Sequence, residues 1–303
     1  MSVRYCLHLL WCSVLAVAFA AAPAQAQARP GTLESLMIAG ADGIAPRAVH
    51  VWLPPGFDQT KRHAVLYVHD GQMLFGPEDT WNKRSWELDR TVAALLAEGA
   101  IRDVIIVAIA NDPKRRHAEF FPQAALQFLE PPSLRKKFVS RALDRRPAAD
   151  AYLRFLVEVV KPAVDARYPT VSSRDGTFIM GSSMGGLISL YALCEHPKIF
   201  GGAAALSTHW IGSFERNLEI PRSLSAYLER RLPPADSVRI YMDRGTEDLD
   251  ALYDAAQQDV DTLMQRKGYS SSQFLSRVYS GAGHNEDAWR ERSAEPLRFL
   301  LRR

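Results

Sequence analysis

Short apolar runs alternate with helix-spaced stretches along most of this chain, and that alternation constrains the fold more than any other feature. Ala64–Val68 and Val104–Ala110 are near-continuous apolar runs, as strands buried on both faces require. Arg47–Leu53 alternates and stops at Pro54-Pro55-Gly56, a turn signal. Thr177–Met180, Gly202–Leu206, Val238–Met242 and Phe274–Tyr279 read as four further strands. Between them, the spacing predicts helices over Trp86–Glu98, Ala151–Arg167, Gly186–Glu195, Leu249–Arg266 and Glu286–Leu301. Strands punctuated by helices imply an α/β fold, a mostly parallel sheet covered on both faces.

One segment breaks the rhythm. Residues 111–146 are basic and aromatic, with Pro122, Pro131 and Pro132 as punctuation. They follow the strand at Val104–Ala110. Ligands of open α/β sheets bind outside the carboxyl ends of the strands. The segment therefore reads either as an insertion that covers a substrate or as a surface excursion.

The N-terminus reads as a targeting segment. Arg4 precedes an apolar stretch, Leu7 to Ala22, and then the small-x-small site Ala24-Gln25-Ala26. This is the layout of a secretory signal peptide. The stretch is shorter than the roughly 20 residues of a membrane span. Cleavage is expected after Ala26, with Ala28 as the neighbouring choice. Trp11 is too bulky to precede a lipidated Cys12. The expected organisation is a signal peptide at 1–26 and a single α/β domain at 27–303, periplasmic or secreted, with no membrane span after cleavage. Cys6 and Cys12 leave with the signal. Cys194, the third cysteine, then has no partner for an internal disulfide and reads as core filler. A net charge of +3 without a long Lys/Arg run argues against nucleic acid as a partner.

The chemistry centres on Gly181-Ser182-Ser183-Met184-Gly185, a G-x-S-x-G string. It follows a predicted strand and opens a predicted helix, the context of the nucleophile elbow of α/β hydrolases. The glycine spacing selects Ser183 over Ser182. His284 lies in the loop Ser280–His284 between the last strand and the last helix, where the triad order Ser, acid, His puts the base. His196 precedes Pro197 at a helix end and reads as structural. His209, beside Trp210, is too early in the chain for the base but is a candidate to line the site. The acid belongs on the loop beyond Val238–Met242, which offers Asp243, Glu247, Asp248 and Asp250. Asp243 falls at the strand end. Asp250 falls where helical periodicity begins, so it reads as facing solvent or the helix N-terminus. One oxyanion donor is the backbone N–H of Met184, and the other that of Gly71 or Gln72 after the strand Ala64–Val68. His69 and Asp70 lack any clustered metal-ligand spacing, so no metal or cofactor is expected.

At these residues the chain resembles the putative esterase family of α/β hydrolases. That family includes enterochelin esterases, feruloyl and acetyl xylan esterases, S-formylglutathione hydrolase and mycolyltransferases. The resemblance runs from about Arg47 to Leu301. It is carried by His69-Asp70-Gly71-Gln72-Met73-Leu74-Phe75, Gly181-Ser182-Ser183-Met184-Gly185-Gly186, Gly245-Thr246-Glu247-Asp248 and Gly283-His284. It implies that Asp248 is the triad acid, as in feruloyl esterases, with Glu247 as runner-up. It also implies that Arg116, in Arg115–Pro122, and the stretch Ser207–Trp210 lie near the site. The implied activity is hydrolysis of a carboxylic ester. An acylated carbohydrate is the first substrate class, and a siderophore ester or acyl transfer comes next. A non-catalytic binding protein is the remote alternative.

Overall fold

In this computed structural model, residues 29–303 are described; the expected signal peptide at 1–26 lies outside them. Eight strands form one sheet: β1 Thr32–Ile38, β2 Arg47–Leu53, β3 Ala64–His69, β4 Val104–Ile109, β5 Thr177–Ser182, β6 Gly202–Leu206, β7 Arg239–Gly245 and β8 Phe274–Tyr279. Their order is β1-β2-β4-β3-β5-β6-β7-β8. The β1–β2 and β2–β4 pairs are antiparallel, and every pair from β4 to β8 is parallel. This is the mostly parallel sheet that the alternation predicts. No strand is expected before Arg47. β1 forms on the sheet edge with no residue fully buried, so it lacks the apolar run that marks the inner strands.

The helices are α1 Leu88–Ala97, α2 Arg116–Phe120, α3 Pro132–Arg141, α4 Ala149–Arg154, α5 Lys161–Arg167, α6 Met184–Glu195, α7 Glu219–Arg231, α8 Asp254–Arg266, α9 Glu286–Arg292 and α10 Ala294–Leu300. Successive residues of a strand point to opposite faces, and the two layers of the core follow from that. Val65 and Tyr67 of β3 join one cluster with Ile105, Ile179 and residues of α4 to α8. Leu66 and Val68 join the other, with Ile106, Phe178 and residues of α1 and α10. All six residues of β3 and of β4 are buried, which explains their unbroken apolar runs.

Three expected helices are interrupted. Ala151–Arg167 widens into a π turn at Phe155–Val160, just before Pro162, which has no N–H to donate. Glu286–Leu301 breaks at Ser293. Leu249–Arg266 begins as a separate 3-10 turn, Asp248–Leu252, before α8 starts. That last break redirects a carboxylate at the site.

Residues 111–146 are not a loose excursion. Phe120, Phe121, Ala125, Leu129, Phe138 and Leu143 are buried in the core. Glu119 of α2 accepts two hydrogen bonds from Arg47 of β2, at 2.9 and 3.0 Å. Both side chains are buried, and the Arg47 guanidinium lies 5.5 Å from the Tyr152 and Phe155 ring centroids. Removing one partner of such a pair typically costs about 3–5 kcal/mol, because the other charge is left buried and alone.

The parallel register sets the site. Ser182 lies beside Leu206, Leu206 beside Asp243, and Gly245 beside Tyr279. The carboxyl ends of β5 to β8 thus form one continuous edge. Among the described residues, no helix is long and apolar enough to cross a membrane.

Candidate active site

Ser183 sits between β5 and α6 with φ 56° and ψ −123°. A non-glycine residue rarely holds this conformation, and the strain is of order 1–3 kcal/mol. The surrounding backbone braces it. The Ser183 N–H donates to the Leu206 carbonyl at 2.9 Å, and its own carbonyl accepts from His209 N–H at 3.2 Å and Gly186 N–H at 3.0 Å. The two glycines of the string do different work. A Cβ on Gly181 would stand 2.6 Å from the Gly185 carbonyl carbon, a backbone clash, whereas one on Gly185 would meet Asp70 and His69 at an ordinary 3.4 Å.

The turn after β3 lies against this elbow. Asp70 adopts φ 57°, and a 3-10 turn, Gly71–Met73, follows. A Cβ on Gly71 would fall 2.6 Å from the Ala108 carbonyl carbon, so only glycine lets the turn lie on the end of β4. Arg116 of α2 grips the Asp70 carboxylate with two hydrogen bonds at 2.8 and 2.7 Å, and Asn111 adds one at 2.5 Å. Burial raises the Asp70 pKa, but Arg116 outweighs it and holds the group below the usual carboxylate range. The Arg116 side chain is 29% exposed, and its guanidinium lies 5.3 Å from the Phe120 ring centroid.

Beyond β8, the loop returns to the same edge. The imidazole Nδ1 of His284 contacts Asp250 Oδ1 at 2.5 Å. The ring stands edge-on to Trp289 at 5.1 Å and to Tyr253 at 5.8 Å. Tyr253 in turn bonds His209 Nδ1 through its hydroxyl at 2.6 Å. Asp250 is fully buried. Its Oδ2 accepts from the Gly245 N–H and the Ser207 hydroxyl, each at 2.5 Å. A nucleophile-elbow serine, an imidazole held through Nδ1 by a buried carboxylate, and two strand-end turns offering backbone N–H groups therefore share one edge of the sheet. The family model described as Putative esterase matches residues 45–300.

The chain belongs to the putative esterase family.

That family shares its fold with several solved structures. The enterobactin esterase of Shigella flexneri superposes with a TM-score of 0.66 at 19% identity, over 91% of this chain and 62% of that one. A ferulic acid esterase does so with a TM-score of 0.63 at 20% identity, over 90% and 99%. Among curated sequences, the siderophore triacetylfusarinine C esterase of Aspergillus fumigatus is 32% identical over 144 residues, 45% of this chain and 40% of that protein. YjcH of Bacillus subtilis is 26% identical over 152 residues, half of this chain and 51% of that protein. The chain thus spans about half the length of these two curated relatives.

Within this esterase-family site, the structure separates the expected acids. Asp248, expected on the imidazole, does not contact it. Its Oδ2 accepts instead from the His284 backbone N–H at 3.3 Å, and Asp250 occupies the imidazole. The reason is local. Asp248 adopts φ 53°, and the 3-10 turn it opens aims Asp250 inward rather than toward solvent. Glu247 is exposed. Asp243 is buried and paired with Arg292 at 3.1 Å. Trp210, expected to line the site, is core: it is 1% exposed, and its N–H donates to Gln257. His209 is buried at 3%, and burial, with smaller contributions from nearby positive groups, pulls its pKa down to about 3. Met184, Gly71 and Gln72 lie at the two turns described. Among the described residues, no group of three or more His, Cys, Asp or Glu side chains is arranged to hold a metal. His69 is instead bonded to the Tyr152 hydroxyl at 2.8 Å.

Sequence reasoning weighed Asp250 but read it as facing solvent or the helix N-terminus, and it missed Tyr253 and the exposed Phe214, whose ring lies 6.0 Å from His209. The spacing of Tyr253, just before α8, with Gln257 and Val260 within it marks the buried face and is the signal that would have pointed inward from Asp250.

Proposed function

We propose that this chain hydrolyses a carboxylic ester through an acyl-enzyme on Ser183, with His284 as general base and Asp250 as the acid that orients it. The single observation that carries this reading is the 2.5 Å contact between Asp250 Oδ1 and His284 Nδ1 on the edge that holds the Ser183 elbow. With Nδ1 engaged, the other ring nitrogen is the one available to take the serine proton and return it to the leaving alcohol. The buried carboxylate fixes the tautomer and stabilises the imidazolium. The N–H groups of Met184 and of Gly71 or Gln72 receive the developing oxyanion, each worth about 3 kcal/mol to the transition state. Arg116 and Phe214 border the substrate.

Esters of acylated carbohydrates are the first substrate class. Likeness to a ferulic acid esterase over nearly its whole length supports this choice. Siderophore esters are the second, supported by the Aspergillus relative. Residues 1–26 are proposed to act as a signal peptide that exports a single hydrolase domain. N-terminal sequencing of the mature protein tests this, and an intact Met1 in exported material would refute it.

Hydrolysis of p-nitrophenyl acetate by the wild type, lost in Ser183→Ala, is the expected result. No turnover of any ester by the folded protein would leave a binding role instead. Feruloyl, acetyl-xylan and siderophore esters assayed side by side order the substrates, and siderophore cleavage without feruloyl cleavage would put the siderophore class first. Acylated sugar formed in the presence of acceptors would reassign the chain to acyl transfer.

A further inference from the structure

The Ser207 hydroxyl lies at the centre of a buried cluster behind the acid. It accepts from the Trp289 indole N–H at 2.9 Å and from Arg292 Nη2 at 2.7 Å. It donates to Asp250 Oδ2 at 2.5 Å. A serine hydroxyl has one proton and two acceptor lone pairs. With both lone pairs taken by N–H donors, its proton has one destination, the Asp250 carboxylate. The hydroxyl is thereby made a directional donor.

The backbone of Ser207 is fixed as firmly. Its φ is 43°, and its N–H donates to Asp243 Oδ1 at 3.0 Å. Asp243 also receives Arg292 through Nε at 3.2 Å and Nη2 at 3.1 Å. Ser207, Asp243, Asp250 and Arg292 are all at most 5% exposed. The Asp250 Oδ2 lone pairs are taken by Ser207 and by Gly245 N–H, which leaves Oδ1 to face the imidazole. Trp289 also packs its ring against His284. One segment, from the His284 loop into α9, therefore carries both the base and the two donors that set the acid's partner.

Resting on the triad reading above, we propose that Ser207 is a positioning residue. Held by Trp289 and Arg292, it locks the Asp250 carboxylate in the rotamer that presents Oδ1 to His284. It touches neither substrate nor the reacting atoms and acts only through Asp250.

The test is a double-mutant cycle. Ser207→Ala should lower kcat/KM by about 10- to 100-fold, the loss expected for one charge-assisted hydrogen bond, with the change in kcat and not KM. In an Asp250→Ala background the same substitution should cost less than about threefold, since the group it serves is gone. An equal loss in both backgrounds would show a merely structural role and overturn the proposal. Trp289→Phe, which keeps a ring on His284 and removes one donor, serves if Ser207→Ala fails to fold. It should lower kcat in the same sense and by a smaller factor, and unchanged kcat would count against the proposal.

A second readout needs no substrate. The far-downfield proton resonance of His284 Nδ1–H should be present in the wild type, shift or broaden in Ser207→Ala, and stay in place in Asp248→Ala. An unmoved resonance in Ser207→Ala overturns the positioning role even if the protein cleaves no ester tested. Absence of ester turnover with a responsive resonance would overturn the esterase reading alone.

Discussion

Two turns, at the carboxyl ends of β5 and β7 with β6 between them, hold the proposed nucleophile and acid, and they are built differently. The turn after β5 is fixed by backbone. Ser183 is braced by main-chain hydrogen bonds from β6 and the loop that follows it, and Gly181 is required because any Cβ would strike a carbonyl. The turn after β7 is fixed by side chains. Asp250 points inward because Ser207 and Gly245 receive it, and Asp248 is left to hold the backbone of the His284 loop. A turn specified by main-chain sterics writes itself into a short string. A turn specified by partners far along the chain does not.

The largest expected effect tests the first turn. Ser183→Ala should reduce kcat by on the order of 10⁴- to 10⁶-fold with an unchanged unfolding midpoint, whereas Ser182→Ala should keep most activity. Steady-state kinetics on both decide it. Activity surviving in Ser183→Ala and vanishing in Ser182→Ala would break the assignment of the elbow.

The next effect tests the second turn. Asp250→Asn keeps shape and loses charge, and should cost about 10⁴-fold in kcat through the wrong tautomer. Asp248→Ala should cost less than about tenfold, since it removes only a 3.3 Å bond to backbone. If the two losses come out reversed, the acid is Asp248 and the contact with Asp250 serves structure.

A smaller effect sharpens the contrast within the elbow. Gly181→Ala, where the new Cβ would lie 2.6 Å from backbone, should destabilise the fold by about 1–3 kcal/mol. Gly185→Ala, with contacts at 3.4 Å, should cost less than about 1 kcal/mol. Equal denaturation midpoints would mean that the first glycine is not the steric one.

The smallest effect concerns pH. Burial holds His69 and His209 neutral, each with its pKa lowered to about 3. The unfolded chain binds those protons below roughly pH 6.5. Stability from these sites is therefore complete above that value and is lost as pH falls from about 6.5 toward 3. Urea midpoints measured across this range should fall less steeply for His209→Phe than for the wild type. Parallel slopes would show that His209 is not held neutral.

Much of this molecule was legible in its sequence, for identifiable reasons. β6 begins and ends where its apolar run does, and β3 and β4 differ from theirs by one residue, because strands buried on both faces leave no polar position to blur the signal. Ser183 and His284 stand out as candidates because each lies on a glycine-marked turn after a strand. Asp250 was not. Its neighbours Leu249 and Leu252 suggest a helix already begun, and only the left-handed Asp248 shows that the helix starts later. Trp210 looked like part of the site because it follows His209. One step along an irregular loop turned it into the core, onto Gln257. Tertiary partners such as Ser207 and Arg292 have no local signature, since their meaning lies in residues 43 and 85 positions distant from Ser207.

The placement of His284, Trp289 and Arg292 on one late segment has a consequence for synthesis. The proposed nucleophile, oxyanion turns and acid all precede in the chain the proposed base and the two donors to Ser207, Trp289 and Arg292. On the proposed triad, the site is complete only when the segment from His284 through α9 has emerged. If the proposed triad holds, the order of translation delays completion of the site until the rest of the sheet has been made.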